Sequence, residues 1–405
     1  MRTAGRACGG TRRLRTAASS LVFAALSLAL AGCAAGPPRQ PRDAGGPIIG
    51  VKIYEADGNL EPLFARFDEL GINTLFVSEA LASNEGFRTL ARERRMPVFV
   101  IFPVFYDPEA LKEDPRLYAI TRTGERAQDD WVGFVCPTRD AYRKRKVDAL
   151  RRVLAALRPD GVSLDFIRFF VYWEMVHPDR SPGSIPSTCF CPSCLAAFSA
   201  AAGVILPPTA AGPQQAAAWI ESTHLSRWAE WKCGVISSMA EELSRAARTA
   251  SPGVLVNVHA VPWRRNDFGG AIRSVAGQDF SALSRFADYL SPMCYTLMLR
   301  REPSWVGSVV GEMSAESSCP ILPSIQVRPS YPGDLAMSAE DFEETLDAAL
   351  AAPSRGVVFW SWKHLAQEPE KMRIVARRFG PRNKGSRAAD RISDDQAVRR
   401  AREDS

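Results

Sequence analysis

The chain has 405 residues, 46% hydrophobic and 24% charged, which is the make-up of a globular protein with a sizeable core and excludes a disordered or fibrous chain. The formal net charge of +6 is not a basic surface. Arg2, Arg6, Arg12, Arg13 and Arg15 lie in the first fifteen residues with no acid among them, and the other Lys and Arg nearly balance the 45 Asp and Glu, so nothing points to nucleic acid as a partner.

Those arginines form the n-region of an export signal. Ala17–Ala31 (AASSLVFAALSLALA) follows as about fifteen mostly apolar residues, short for a membrane span and right for a signal peptide. The stretch ends in Leu30-Ala31-Gly32-Cys33, which resembles the bacterial lipobox. That resemblance implies a leader over residues 1–32, lipid on Cys33, and a protein held to a membrane outside the cytoplasm by its acyl chains. Residues 33–47 are rich in Pro and Gly and read as a tether. Residues 381–405 are polar and charged and read as a disordered tail.

Residues 48–380 repeat a strand–helix alternation. Strands are expected at 48–54, 72–78, 97–104, 161–169, 254–259, 287–294, 320–327 and 356–362. Helices are expected at 59–70, 85–95, 139–158, 215–250, 279–286, 304–316, 338–352 and 363–379. Eight units predict a (β/α)₈ TIM barrel, with long loops after the third and fourth strands. No Gly-x-Gly-x-x-Gly follows the first strand, which argues against a dinucleotide-binding open sheet. No organic cofactor is called for.

Strand residues alternate between the barrel interior and the helix layer. Val51, Ile53, Val254, Val256, Val258, Ile321, Ile325 and Val327 suit the helix layer, leaving Lys52, Tyr54, Asn257, His259, Ser324 and Gln326 inward. Each of these has an ordinary structural use: a satisfied core histidine, amides holding loops, Tyr295, Trp360 and Trp362 as core. Their convergence at the C-terminal strand ends favours a sugar pocket, because aromatic faces with amides and carboxylates match sugar rings.

Glycoside hydrolysis needs two carboxyl groups, one protonated and one ionised. Asp165, in Asp160-Gly-Val-Ser-Leu-Asp165-Phe-Ile-Arg168, is the first candidate. Asp160 is excluded as its partner, since five strand residues separate them by about 16 Å. Glu174 in the following loop is preferred to Glu79 at the end of the second strand, and Asp129 and Asp130 are weaker. Arg168 either pairs with a carboxylate or contacts substrate, and Tyr172 joins the sugar-lining set.

The stretch Asp160–Glu174, the segment Cys136-Pro-Thr-Arg-Asp-Ala-Tyr142 and the closing Phe359-Trp360-Ser361-Trp362 resemble the glycoside hydrolase-like barrels of bacterial exported proteins. The resemblance covers most of residues 48–380 and implies a catalytic barrel acting on a polysaccharide. Asp165 occupies a place similar to the fourth-strand nucleophile of the α-amylase superfamily, although Ser163 stands where that superfamily has Arg. Met293-Cys294-Tyr295 is similar to the Met-x-Tyr-Asp of the chitinase-like family 18, with Thr296 in place of the Asp, and that family's Asp-x-x-Asp-x-Asp-x-Glu is absent.

Seven cysteines follow Cys33. Cys189, Cys191 and Cys194 cluster in the insertion after the fourth strand. Export favours disulfides there. Half a zinc site, completed by Cys136 or His177, is the alternative, and Cys294 is the expected free thiol. No metal site and no cofactor is assigned. The expected function is polysaccharide hydrolysis by Asp165 and Glu174, against a carbohydrate-binding lipoprotein without activity, or an envelope scaffold working through the cysteine-rich insertion.

Overall fold

The computed structural model describes residues 46–331, 336–351 and 353–381. The leader, Cys33, nearly all of the tether and residues 382–405 lie outside the described residues. Eight parallel strands form a closed barrel: β1 Ile48–Ile53, β2 Thr74–Val77, β3 Val98–Pro103, β4 Gly161–Asp165, β5 Leu255–Ala260, β6 Tyr289–Cys294, β7 Ser324–Gln326 and β8 Gly356–Trp360. Each strand bonds the next, and β8 closes on β1 through Ile48 opposite Gly356. The (β/α)₈ architecture expected from the sequence is therefore the fold.

The helices in chain order are α1 Glu61–Leu70, α2 Glu79–Ser83, α3 Glu85–Glu93, α4 Pro108–Glu113, α5 Asp140–Leu157, α6 Pro192–Ala202, α7 Pro213–Thr223 and α8 Leu225–Ala250. They continue with α9 Ala271–Ser274, α10 Phe280–Leu283, α11 Ser304–Glu316, α12 Ala339–Leu350, α13 Trp362–Leu365 and α14 Pro369–Phe379. Their starts and stops have local causes. In α1, Phe64, Phe67 and Leu70 share the buried face, Pro62 sits in the first turn, and Gly71 ends the helix in the left-handed region. α12 opens with a capping box between Ser338 and Asp341.

The expected elements need correction at several points, among them the helix over 363–379, which is the two helices α13 and α14. β4 stops at Asp165, because Phe166 takes φ 51° and its N–H turns back to the Asp165 carboxylate. The helix expected over 215–250 is two helices broken at His224. The insertion after β4 holds a further helix, α6, started by Pro192 and ended by Gly203 in the left-handed region. The loop after β3 carries a short hairpin, pairing Gln128–Asp129 with Val132–Gly133.

Alternation sorts the strand residues as expected. Val51, Ile53, Val254, Val256, Val258, Ile321, Ile325 and Val327 pack in the large core between barrel and helices. Inside the barrel, Phe76, Phe99, Ile101, Tyr289, Leu322 and Val358 form a separate apolar plug. Above it lie polar residues, so chemistry is confined to the C-terminal mouth.

Barrel closure depends on Gly356. Its φ is +148°, and a Cβ there would meet the Ile48 carbonyl oxygen at 2.0 Å. Gly356→Ala is expected to destabilise the fold by about 3 kcal/mol, from backbone strain plus forced separation of the closing strands. Gly234, exposed within α8 and with open space around it, should respond in the opposite sense, Gly234→Ala adding about 0.5–1 kcal/mol. Urea unfolding midpoints of the two variants test both signs.

Candidate active site

The polar layer above the apolar plug is built around Lys52. This residue is 1% exposed, and its ammonium reaches the Tyr295 hydroxyl at 3.2 Å and His259 Nδ1 at 3.4 Å. His259 Nε2 lies 2.8 Å from Ser163 Oγ, which accepts a 2.7 Å hydrogen bond from the Asn257 amide. An ammonium only donates, so it fixes His259 as the tautomer with its proton on Nε2, donated to Ser163. Burial, with the Lys52 charge next, lowers the histidine pKa to about 3, so the ring is neutral at working pH. Burial also lowers Lys52 to about 8, opposed by the charge of Asp165.

Asp165 ends β4 with its side chain inward and is 7% exposed. Burial pushes its pKa up. The positive surroundings, chiefly His259 and Lys52, with the Phe166 N–H and Arg168, outweigh that and hold it below the usual carboxylate range. Since His259 is uncharged above about pH 3, Lys52 and Arg168 are the cations acting on Asp165 at neutral pH. Asp165 is therefore ionised.

Glu174 behaves oppositely. It sits in a single turn over Trp173–Met175, is 7% exposed, and its Oε2 has no hydrogen-bond partner. Burial raises its pKa to about 7, against the pull of Arg168 and with help from the charge of Asp165. Arg168 interacts electrostatically with both carboxyls. Its guanidinium lies 4.8 Å from the Phe134 ring and 5.2 Å from the Phe166 ring and donates to the Val171 carbonyl at 3.2 Å. It is thus an internal cation at the base of the loop rather than an exposed substrate clamp. The loop folds back over the barrel: Trp173 packs on Tyr295 at 5.8 Å, and Tyr295 stacks on Trp360 at 4.4 Å and 14°.

The other expected residues divide. Tyr172 and Tyr295 are buried and Trp360 is half-buried, and the Tyr172 hydroxyl lies 3.4 Å from Asp130. Asn257 and Gln326 are buried and bond internally, Gln326 to the Met298 N–H and the Arg328 carbonyl. Trp362 packs edge-on against Phe67 of α1, in the helix layer. Glu79 is exposed in the first turn of α2, where it acts electrostatically on Lys146. Tyr106, Trp131 and Tyr331, which the sequence did not single out, join Tyr172 in an aromatic wall linked ring to ring at 5.5–6.3 Å, with Trp131 44% exposed. Trp131 rides on the loop hairpin, and only its adjacency to Asp129 and Asp130 hinted at it. A cavity of about 310 Å³ opens beside Trp360, lined also by Tyr54, Glu55, Ser361 and His364. One of similar volume lies at the opposite end of the barrel around Asp160 and Arg158, away from both buried carboxyls.

No disulfide joins the seven cysteines among the described residues. The fourth member of the Cys189, Cys191 and Cys194 cluster is Cys136, and not His177, with all four sulfurs within 4.8 Å of one another.

The sequence matches no protein-family model and no curated protein. The fold is similar to solved glycoside hydrolases. The glycoside hydrolase domain of PgaB (BpsB) from Bordetella bronchiseptica aligns with a TM-score of 0.61 at 13% identity, over 82% of this chain and 98% of that one. The β-galactosidase of the psychrophilic Marinomonas ef1 aligns at 0.62 and 12%, over 85% of this chain and 60% of the other. The α-L-fucosidase isoenzyme 2 of Paenibacillus thiaminolyticus aligns at 0.52 and 12%, over 84% of this chain and half of the other. At these identities the likeness is one of fold: the chain is a closed (β/α)₈ barrel of the kind found in glycoside hydrolases.

Proposed function

We propose that this protein is a glycoside hydrolase that cleaves a polysaccharide outside the cytoplasm, tethered by lipid on Cys33. What supports the reading is the opposed shift of two electrostatically coupled carboxyls: Asp165 held below the usual carboxylate range by its positive surroundings, and Glu174 raised to about 7 by burial. That is the division of labour glycoside cleavage requires. Glu174 donates its proton to the departing glycosidic oxygen as the bond to the anomeric carbon breaks. Asp165 stabilises the positive charge that develops at that carbon, either bonding to it directly or activating water. Trp131, Tyr172 and Trp360 offer ring faces to the sugar.

The same barrel without turnover, a carbohydrate-binding lipoprotein, is the second reading. It is favoured by one observation: both carboxyls are only 7% exposed, and neither lines the cavity beside Trp360. Screening the purified chain against bacterial and plant polysaccharides separates the two. Binding without any release of reducing ends would establish the binder.

In the hydrolase, Glu174→Gln should lower kcat by about 10²–10⁴-fold, the size of a lost proton donor. Activity of the native chain should fall above about pH 7, where Glu174 loses its proton, and this alkaline limb should vanish in Glu174→Gln. An unchanged profile would remove Glu174 from the mechanism. Asp165→Asn should abolish turnover while leaving the fold intact.

Lys52→Met keeps the length of the side chain but removes the charge. With the cation gone, the Asp165 pKa rises, and the acid limb of the pH–rate profile should move to higher pH. A limb that stays in place would show that Lys52 is only a packing element. For the anchor, Cys33→Ala should move the protein from the membrane fraction to the soluble envelope fraction.

A further inference from the structure

We propose that Cys136, Cys189, Cys191 and Cys194 hold one zinc ion in a closed tetrahedral site, which fastens the insertion after β4 to the loop after β3. The inference is independent of whether the barrel hydrolyses anything.

The four sulfurs come from two distant parts of the chain and meet in one place. Cys136 Sγ lies 3.4 Å from Cys194 Sγ and 3.8 Å from Cys191 Sγ, and no pair among the four exceeds 4.8 Å. A tetrahedron with zinc–sulfur bonds of about 2.3 Å has sulfur–sulfur edges of roughly 3.8 Å, so the cage already has the dimensions of the ion. None of the four sulfurs is disulfide-bonded. Each cysteine is no more than 1% exposed, which leaves no position for water or substrate and makes the site structural.

The surroundings suit thiolates. The Ile120 N–H donates to Cys189 Sγ at 3.2 Å. The Thr138 hydroxyl lies 3.2 Å from the sulfurs of both Cys136 and Cys194. Cys191 stands at the N-terminus of the eleven-residue α6, and the buried Lys232 amine is near enough to act on the charges of Cys189 and Cys194. Oriented N–H and O–H groups of this kind are the outer contacts that thiolate–metal sites use. Four thiols crowded without a metal in an oxidising compartment would instead be driven to disulfides.

The consequence is mechanical. The two loops also touch through backbone bonds, Phe190 N–H to the Ile120 carbonyl and Arg122 N–H to the Ser187 carbonyl among them, and through side-chain contacts such as Trp131 against Tyr172. One loop carries Asp130 and Trp131, the other Tyr172 and Glu174. Metal at their crossing would hold the proton donor and the aromatic wall in register.

The test uses the full chain purified without chelator. The expected result is one zinc per chain, and after exchange with cobalt, thiolate-to-cobalt charge-transfer bands with the visible absorption of a tetrahedral ion. Cys191→Ser and Cys194→Ser should reduce bound metal from one per chain to near zero, whereas Cys319→Ser, outside the cluster, should leave it at one. If the cluster variants do not fold, the native chain still decides. Titration with a mercurial should release zinc in step with four thiols, and metal removal should raise hydrogen exchange in residues 118–136 and 172–195. A metal-free native chain whose mass lacks four hydrogens, as two disulfides require, overturns the proposal. So does a metal-free chain whose four thiols are alkylated as fast as Cys319.

Discussion

A lysine ammonium sealed inside a barrel must find partners, because an unpaired buried charge costs several kcal/mol. The partners of Lys52 organise everything above the apolar plug. It donates to Tyr295 on one side and His259 on the other, fixes the histidine tautomer, and through it engages Ser163 and Asn257 on β4 and β5. Its charge is also one of the positive influences that hold the Asp165 pKa down against burial. Tyr295, held by Lys52, supports both Trp173 beside Glu174 and Trp360 on β8. Without the cation, the aspartate, the loop and the aromatic stack would each lose a support.

The two carboxyls differ because their neighbours do. Asp165 faces an ammonium within the barrel, whereas Glu174 lies in a turn where one carboxyl oxygen has no partner. Arg168 acts on both yet is occupied by aromatic faces and a backbone carbonyl. It tempers the rise in the Glu174 pKa without abolishing it. A small difference in surroundings thus separates an ionised group from a protonated one, which is how acid and base coexist in one site.

The loops do as much as the strands. The hairpin after β3 supplies Trp131, and the insertion after β4 supplies Glu174. These segments have little regular structure of their own near the mouth, so their order must come from crosslinks: ring contacts, a few backbone bonds and the cluster of four cysteines. Long loops on a rigid barrel commonly carry the specificity of such proteins.

The sequence by itself determined the eight-unit barrel, since apolar alternation with period two or near four is a local property that survives without knowledge of partners. It also determined which strand residues face inward, so Lys52, Asn257, His259 and Asp165 were legible in the chain. Only the tertiary structure decided what those residues do together. Whether Asp165 meets Lys52 depends on β1 and β4 facing each other across a closed interior. That Trp362 turns to Phe67 while Trp360 stays at the mouth depends on where β8 gives way to α13. That Cys136 and not His177 joins the three cysteines of the insertion depends on how two loops cross, 53 residues apart in the chain between Cys136 and Cys189. Periodicity is written residue by residue, whereas charge pairing and ligand sets are set by distances between segments that only closure of the barrel brings together.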